Sequence, residues 1–137
     1  MSSSGYSATP LTRKLGLKEG QRVLLCNQPD YYFELFDDFP KVEFLSNPDE
    51  AIIDFIHFFC THLIELEQQF DILKSGLKKN GSFWVSWPKK NSKIPKDLDG
   101  NVVRRFGLTH GLVDIKVCAV NTDWSGLKFM YRLKDRK

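Results

Sequence analysis

Hydrophobic and polar positions along this chain follow two periods, and each change of period marks an element. Val23-Leu24-Leu25-Cys26, inside a stretch from Arg22 to Asn27, and the run from Ile52 to Phe59 are apolar at successive positions. A strand carries apolar side chains on both faces when both faces are covered, so these stretches predict central strands of a parallel sheet. Between them, Asp30 to Asp38 predicts a helix with Phe33, Phe36 and Leu35 inward, closed by Pro40, and Val42 to Leu45 predicts a short second strand. From Thr61 onward, Leu63, Leu66, Phe70, Leu73 and Leu77 recur at spacings of three and four, one face of an amphipathic helix stopped by Gly76 and Asn80-Gly81. Ser82 to Trp87 is the next strand. A later helix is expected from Asp99, as N-cap, to about His110, with Gly111 ending it. A short one opens the chain, with Thr9 as N-cap and Pro10 at the first helical position before Leu11 to Leu15 and Gly16.

The final 26 residues change character. Val113, Ile115, Val117 and Ala119 alternate with other side chains, as do Leu127, Phe129, Tyr131 and Leu133 beyond a turn at Asp123 to Gly126, so an antiparallel hairpin is expected at a sheet edge. The pattern as a whole predicts an α/β three-layer sandwich, a mostly parallel sheet with a C-terminal antiparallel hairpin. Residues 10–137 form one domain in this reading, preceded by a loose, Ser-rich stretch over 1–9.

A chain of 137 residues buries roughly two-thirds of the surface that its unfolded form exposes, enough to fold without a disulfide or metal staple. Cys26, Cys60 and Cys118 are odd in number, far apart and set in apolar runs, which fits reduced core thiols and a cytoplasmic protein. Neither an export signal nor a stretch of about 20 apolar residues is present, so no membrane partner is expected.

Charge alters this picture more than composition does. The formal net charge is +3, yet Glu19 to Asp71 holds twelve acidic and two basic side chains, and Lys74 to Arg105 nine basic and two acidic. The first 18 residues and the last 32 carry a net +3 each. A basic face attracts phosphates or nucleic acid, while the acidic half repels the same polyanion, so the asymmetry fits a homodimer or other protein contact as well as a small anionic ligand.

Leu15-Gly16-Leu17-Lys18-Glu19-Gly20-Gln21-Arg22-Val23-Leu24-Leu25 and Leu77-Lys78-Lys79-Asn80-Gly81-Ser82-Phe83-Trp84-Val85 carry a family resemblance. The first resembles the entry to the first strand of class I S-adenosylmethionine-dependent methyltransferases, and the second their later turn and strand. The resemblance implies a methyltransferase-like Rossmann sheet. The whole chain is also similar to a small bacterial family, a domain of unknown function, through Gly5-Tyr6-Ser7-Ala8-Thr9-Pro10-Leu11, Trp84-Val85-Ser86-Trp87-Pro88-Lys89-Lys90, Val117-Cys118-Ala119-Val120 and Trp124-Ser125-Gly126-Leu127-Lys128. That family implies kinship and fold without an activity.

The methyltransferase pattern breaks where the cofactor would sit. The family has a glycine-rich turn after its first strand, because the backbone must approach the cofactor closely. Here the turn reads Cys26-Asn27-Gln28-Pro29-Asp30, without glycine. Val42-Glu43-Phe44-Leu45-Ser46 lacks the ribose-binding carboxylate at its end, Glu43 lying too early, and one strand-helix unit is missing before Ile52. These departures argue against S-adenosylmethionine, so no cofactor is expected.

The candidate ligand-binding residues are Asn27, Gln28, Asp30, Trp87, Lys89, Lys90, Trp124 and Lys128. Trp87 beside Lys89 and Lys90 leaves a central strand end, where open α/β sheets place ligands, and an aromatic ring beside two ammonium groups suits a base and a phosphate. The plain alternative is a packed Trp87 under solvated lysines. Asn27, Gln28 and Asp30 complete a pocket at the neighbouring strand end, or form only a turn with Asp30 capping. Trp124 and Lys128 line the same rim, or Trp124 is a packing plug. His57, His62 and His110 show no metal or triad spacing, and Ser86 lacks a nucleophile elbow. The reading is a binding or regulatory module that has lost methyl transfer; a divergent methyltransferase or nucleotide-dependent transferase, and a nucleic-acid binder using Lys74 to Arg105, are the rivals.

Overall fold

The computed structural model describes residues 9–49 and 51–136. The expectation of a loose stretch over 1–9 lies, except for Thr9, outside the described residues. Nine elements build the fold: α1 (Leu11–Leu15), β1 (Arg22–Cys26), β2 (Glu43–Phe44), β3 (Ile53–Phe59), α2 (Leu63–Ser75), β4 (Leu77–Pro88), α3 (Gly100–Thr109), β5 (Leu112–Ala119) and β6 (Trp124–Tyr131). Six strands form one sheet in the order β2-β1-β3-β4-β6-β5. The first four are parallel, and β6 runs antiparallel to both β4 and β5. The hairpin therefore inserts its second strand into the sheet and leaves its first at the edge.

Both faces are covered, which explains the continuous apolar runs. Leu24, Ile56, Phe58, Phe83, Val85, Leu127 and Phe129 face α2 and α3, where Leu66, Phe70, Leu73 and Val103 complete one core. Their neighbours in sequence, Val23, Phe55 and Trp84, face the other way against Leu15 and Leu17 near α1. The α1 layer is thin, and the Trp84 indole anchors it by donating to the Leu15 carbonyl at 2.8 Å. Gly16, at φ 80, lets the chain turn out of α1 in the left-handed region that a side chain disfavours.

Three local expectations change. Thr9 does not cap α1; Pro10 occupies the cap position with extended backbone, and no side chain bonds the first turn. Instead of a helix over Asp30–Asp38 there is a single 3₁₀ turn, Tyr32–Leu35, which buries Tyr32 and leaves Phe33 48% exposed. Leu77 ends no helix face. It opens β4, opposite Ile53, and Lys78 to Gly81 bulge before Ser82 pairs with Phe55. A β-carbon at Gly81 would meet the Ile53 carbonyl at 2.9 Å, so the bulge can fold back only on a glycine.

Of the alternating apolar residues on edge strand β5, Ile115 and Val117 are 44% and 64% exposed. No described helix is long and apolar enough to cross a membrane. Helix α3 packs on β6 through Gly107, whose added β-carbon would collide with the Phe129 ring. Gly107→Ala is expected to destabilise the fold by about 2 kcal/mol through overpacking, read as a lower urea midpoint with an unchanged slope.

Candidate functional site

The strand order reverses between β1 and β3, so the crevice that open α/β sheets use for ligands lies between the loops leaving those two strands. At the β1 end, Asn27 adopts φ 58. Asparagine is the residue besides glycine that enters this region most readily, so the turn keeps a glycine-like backbone without a glycine. Asn27, Gln28 and Asp30 are all exposed. Behind them the chain folds down sharply, with the Tyr32 amide donating to the Pro29 carbonyl at 2.9 Å.

Two tyrosines close this turn. The Tyr31 hydroxyl accepts from the Trp124 indole at 3.1 Å and from the Asn121 amide at 3.3 Å, tying the turn to the β5–β6 connection. Tyr32 is buried and reaches Nδ1 of His57 at 3.0 Å, while the other ring nitrogen of His57 meets Oγ of Ser86 at 2.7 Å. Phe59 stacks on His57 at 4.2 Å and meets Trp124 edge-on at 5.0 Å. This Tyr32–His57–Ser86 chain has no access to solvent, so it holds the fold and does not act as a catalytic relay. Burial lowers the His57 pKa to about 3, keeping the ring neutral, and burial also pushes the Tyr32 hydroxyl up.

On the opposite face, burial raises the thiols of Cys26 and Cys60, reinforced by the Glu65 charge, which leaves both protonated and unreactive. The start of α2 is already occupied. Glu65 accepts from the amides of Thr61 at 2.6 Å and His62 at 3.3 Å, and Asp97 accepts from that of Leu63 at 2.8 Å. Donors that would cradle a phosphate are thus bound by the protein's own carboxylates.

The sequence-predicted residues fall into three places. Trp124, 6% exposed, joins Asn27, Gln28 and Asp30 through Tyr31, but as a plug. Trp87 sits two strands from β1, roughly 10 Å away, and its ring faces the α3 side among Leu98 and Val103, with Gly100 pressed against it. Lys89 is tied by its amide to the Asp123 carbonyl at 2.7 Å, and exposed Lys90 borders a cleft of about 360 Å³ beside Trp87. A larger cleft of about 550 Å³ lies next to it, lined by Asn91, Ser92, Lys93, Ile94, Thr122 and Asp123. Lys128 leaves the rim altogether. It lies four residues along β6 from Trp124, roughly 13 Å away, opposite Lys116.

The basic segment is divided as well. Lys74 donates to the His110 carbonyl, Lys78 pairs with Asp54, Lys79 lies over the Tyr131 ring and Arg104 pairs with Asp114, all away from the loop lysines. Glu43 pairs with Arg22 at the opposite end of the sheet from the Asn27 turn. Among the described residues no cluster of three His, Cys, Asp or Glu side chains is placed to hold a metal ion.

The fold is similar to those of several solved structures. A protein from Sulfolobus solfataricus assigned to the type 11 methyltransferases superposes with a TM-score of 0.64 at 18% identity, covering 89% of each chain. A SAM-dependent methyltransferase from Aquifex aeolicus gives 0.60 at 15% identity over 89% of this chain and 88% of that one. The fold is methyltransferase-like. DhpI, in a complex with SAH, gives 0.58 at 12% identity over 90% of this chain and 83% of its own. No family model and no curated protein matches the chain.

The buried histidine gives the fold a pH dependence of fixed sign. Below pH 6.5 the unfolded chain takes up a proton at His57 that the folded chain refuses until about pH 3, so this contribution is complete above 6.5 and lost progressively on acidification. Between pH 7 and 5 the wild type is expected to lose about 2 kcal/mol more stability than His57→Gln, measured by urea unfolding at each pH.

Proposed function

We propose that this chain is a binding or regulatory module on a methyltransferase-like fold that does not transfer methyl groups from S-adenosylmethionine. The observation that supports this reading is the closed turn after β1. There Tyr31 is held by Asn121 and Trp124, and Tyr32 and Phe59 fill the space beneath. A cofactor approaching the backbone of Gln28 and Pro29 would have to displace this packed aromatic group, and Pro29 offers no amide to it. The partner in this reading is a small anionic ligand at Lys89, Lys90 and Lys93, or another protein. Kinship with the small bacterial family that the Trp84 to Lys90 stretch resembles belongs to the same proposal, as does a cytoplasmic location.

One observation favours a divergent methyltransferase instead. Asn27 keeps the left-handed turn that a glycine would otherwise supply, in a fold similar to DhpI, which was solved with SAH. A single titration separates the two. With S-adenosylmethionine or its demethylated product at about 1 mM, the melting temperature is expected to stay within about 1 °C of the free protein. A rise of several degrees that Asn27→Ala removes would show that this turn binds the cofactor, and methyl transfer to an acceptor by the same protein would then put the methyltransferase reading in its place.

A further inference from the structure

A second charged feature lies on the α1 face, away from the rim, and is assembled from segments distant in sequence. Lys116 on edge strand β5 stands directly across from Lys128 on β6, and Trp84 flanks Lys128 on the other side. Like charges facing each other across two strands repel, and nothing in an ordinary sheet would select that arrangement. A bulge creates it. Phe129 pairs with Asp114 and Lys128 with Lys116, so Ile115 is an extra residue with no partner. In a regular strand Asp114 and Lys116 would share a face. The bulge sends Asp114 toward α3, where it bonds Arg104 at 2.8 Å, and Lys116 to the α1 face.

The lysine pair has further cationic company. Lys18 and Arg136 act on Lys128, and Lys14 joins Lys116 in acting on the half-buried Cys118. Burial first, and then these like-charged neighbours, lower the Lys128 pKa. None of Lys14, Lys18, Lys116, Lys128 and Arg136 belongs to a salt bridge among the described residues. The Arg136 guanidinium is steadied by the Tyr131 carbonyl at 2.7 Å. We infer that this cluster, centred on the bulge-enforced Lys116–Lys128 pair, is a binding site for a compact anion carrying several phosphoryl groups.

The chemistry selects that class. Two lysines whose β-carbons stand about 5 Å apart, with three more cations acting on the same patch, match neighbouring phosphoryl groups better than one carboxylate. The one tryptophan here, Trp84, is buried and bonded to Leu15, so no ring is offered to a stacked base. The acidic surface from Glu19 to Asp71 also opposes a long polyanion. This site is independent of the ligand at the rim.

The test uses the full chain and tripolyphosphate, with affinity measured by calorimetry at about 50 mM salt. Lys116→Gln is expected to weaken binding about tenfold and to raise the melting temperature of the free protein by about 1–2 °C, because it relieves the repulsion. Exposed Lys116 makes that variant safe for folding, and Lys128→Gln serves as the second. Lys89→Glu with Lys90→Glu leaves the affinity unchanged. Tighter binding of a nucleoside triphosphate would name a nucleotide as the source of the phosphates, and equal binding an inorganic one. The site is overturned by no measurable binding, by affinity unaltered in both glutamine variants, by loss of binding in the Lys89/Lys90 variant, or by a DNA duplex binding tenfold tighter than tripolyphosphate.

Discussion

A neutral imidazole in the middle of a covered sheet has to satisfy two nitrogens without water, and much of this structure follows from how His57 does so. One ring nitrogen donates and the other accepts, and leaving either unmatched in that setting costs about 1–3 kcal/mol. Ser86 answers from the adjacent strand and Tyr32 from the turn after β1. Tyr32 reaches the ring only if residues 29–32 descend onto the sheet, which ends helix propagation after one 3₁₀ turn and swings Phe33 outward. The same demand passes to β6, where a β-carbon at Gly126 would come within 3.1 Å of Ser86 Oγ. One buried residue thereby constrains three strands and the turn that shapes the crevice.

The two outer layers differ in consequence. Helices α2 and α3 form a conventional cover, with Asp99 accepting from the Val102 amide at 2.9 Å to start α3. The α1 side has only five helical residues and the 3₁₀ turn, so aromatic rings provide the thickness that helices provide elsewhere. Tyr32, Phe36 and Phe39 pack edge to face or tilted, with centroids at 4.9 to 6.4 Å. A thin cover also leaves the lower part of β6 and β5 uncovered on that side, which is why Lys116 and Lys128 reach solvent.

Elements set by their own residues were legible in the sequence. The Leu66, Phe70, Leu73 stripe, the doubly apolar β1 and β3 and the Asp99 cap all needed only local periodicity and turn chemistry. What escaped depends on contacts distant along the chain. The Asp30–Asp38 helix failed because His57 competes for Tyr32, and Leu77 left its helix because Ile53 pairs with it. At the site, Trp87 and Trp124 were read together as strand-end aromatics, but β3 intervenes between β1 and β4, and the tryptophans pack on opposite faces. His57 and Ser86 were visible as polar residues in apolar strands, and that mismatch was the available signal. The bulge at Ile115 left no signature in an alternating pattern.

Tyr31 meets its partners Asn121 and Trp124 at sequence separations of 90 and 93. Loop closures of that span are slow, and they cannot begin until the partner segment exists. During synthesis, β1, β3 and α2 are complete long before β6 leaves the ribosome. Throughout that interval the turn at Asn27 stays unlatched, with Tyr32 and Phe59 lacking their cover. The crevice therefore takes its final shape only once Asn121 and Trp124 have joined the fold.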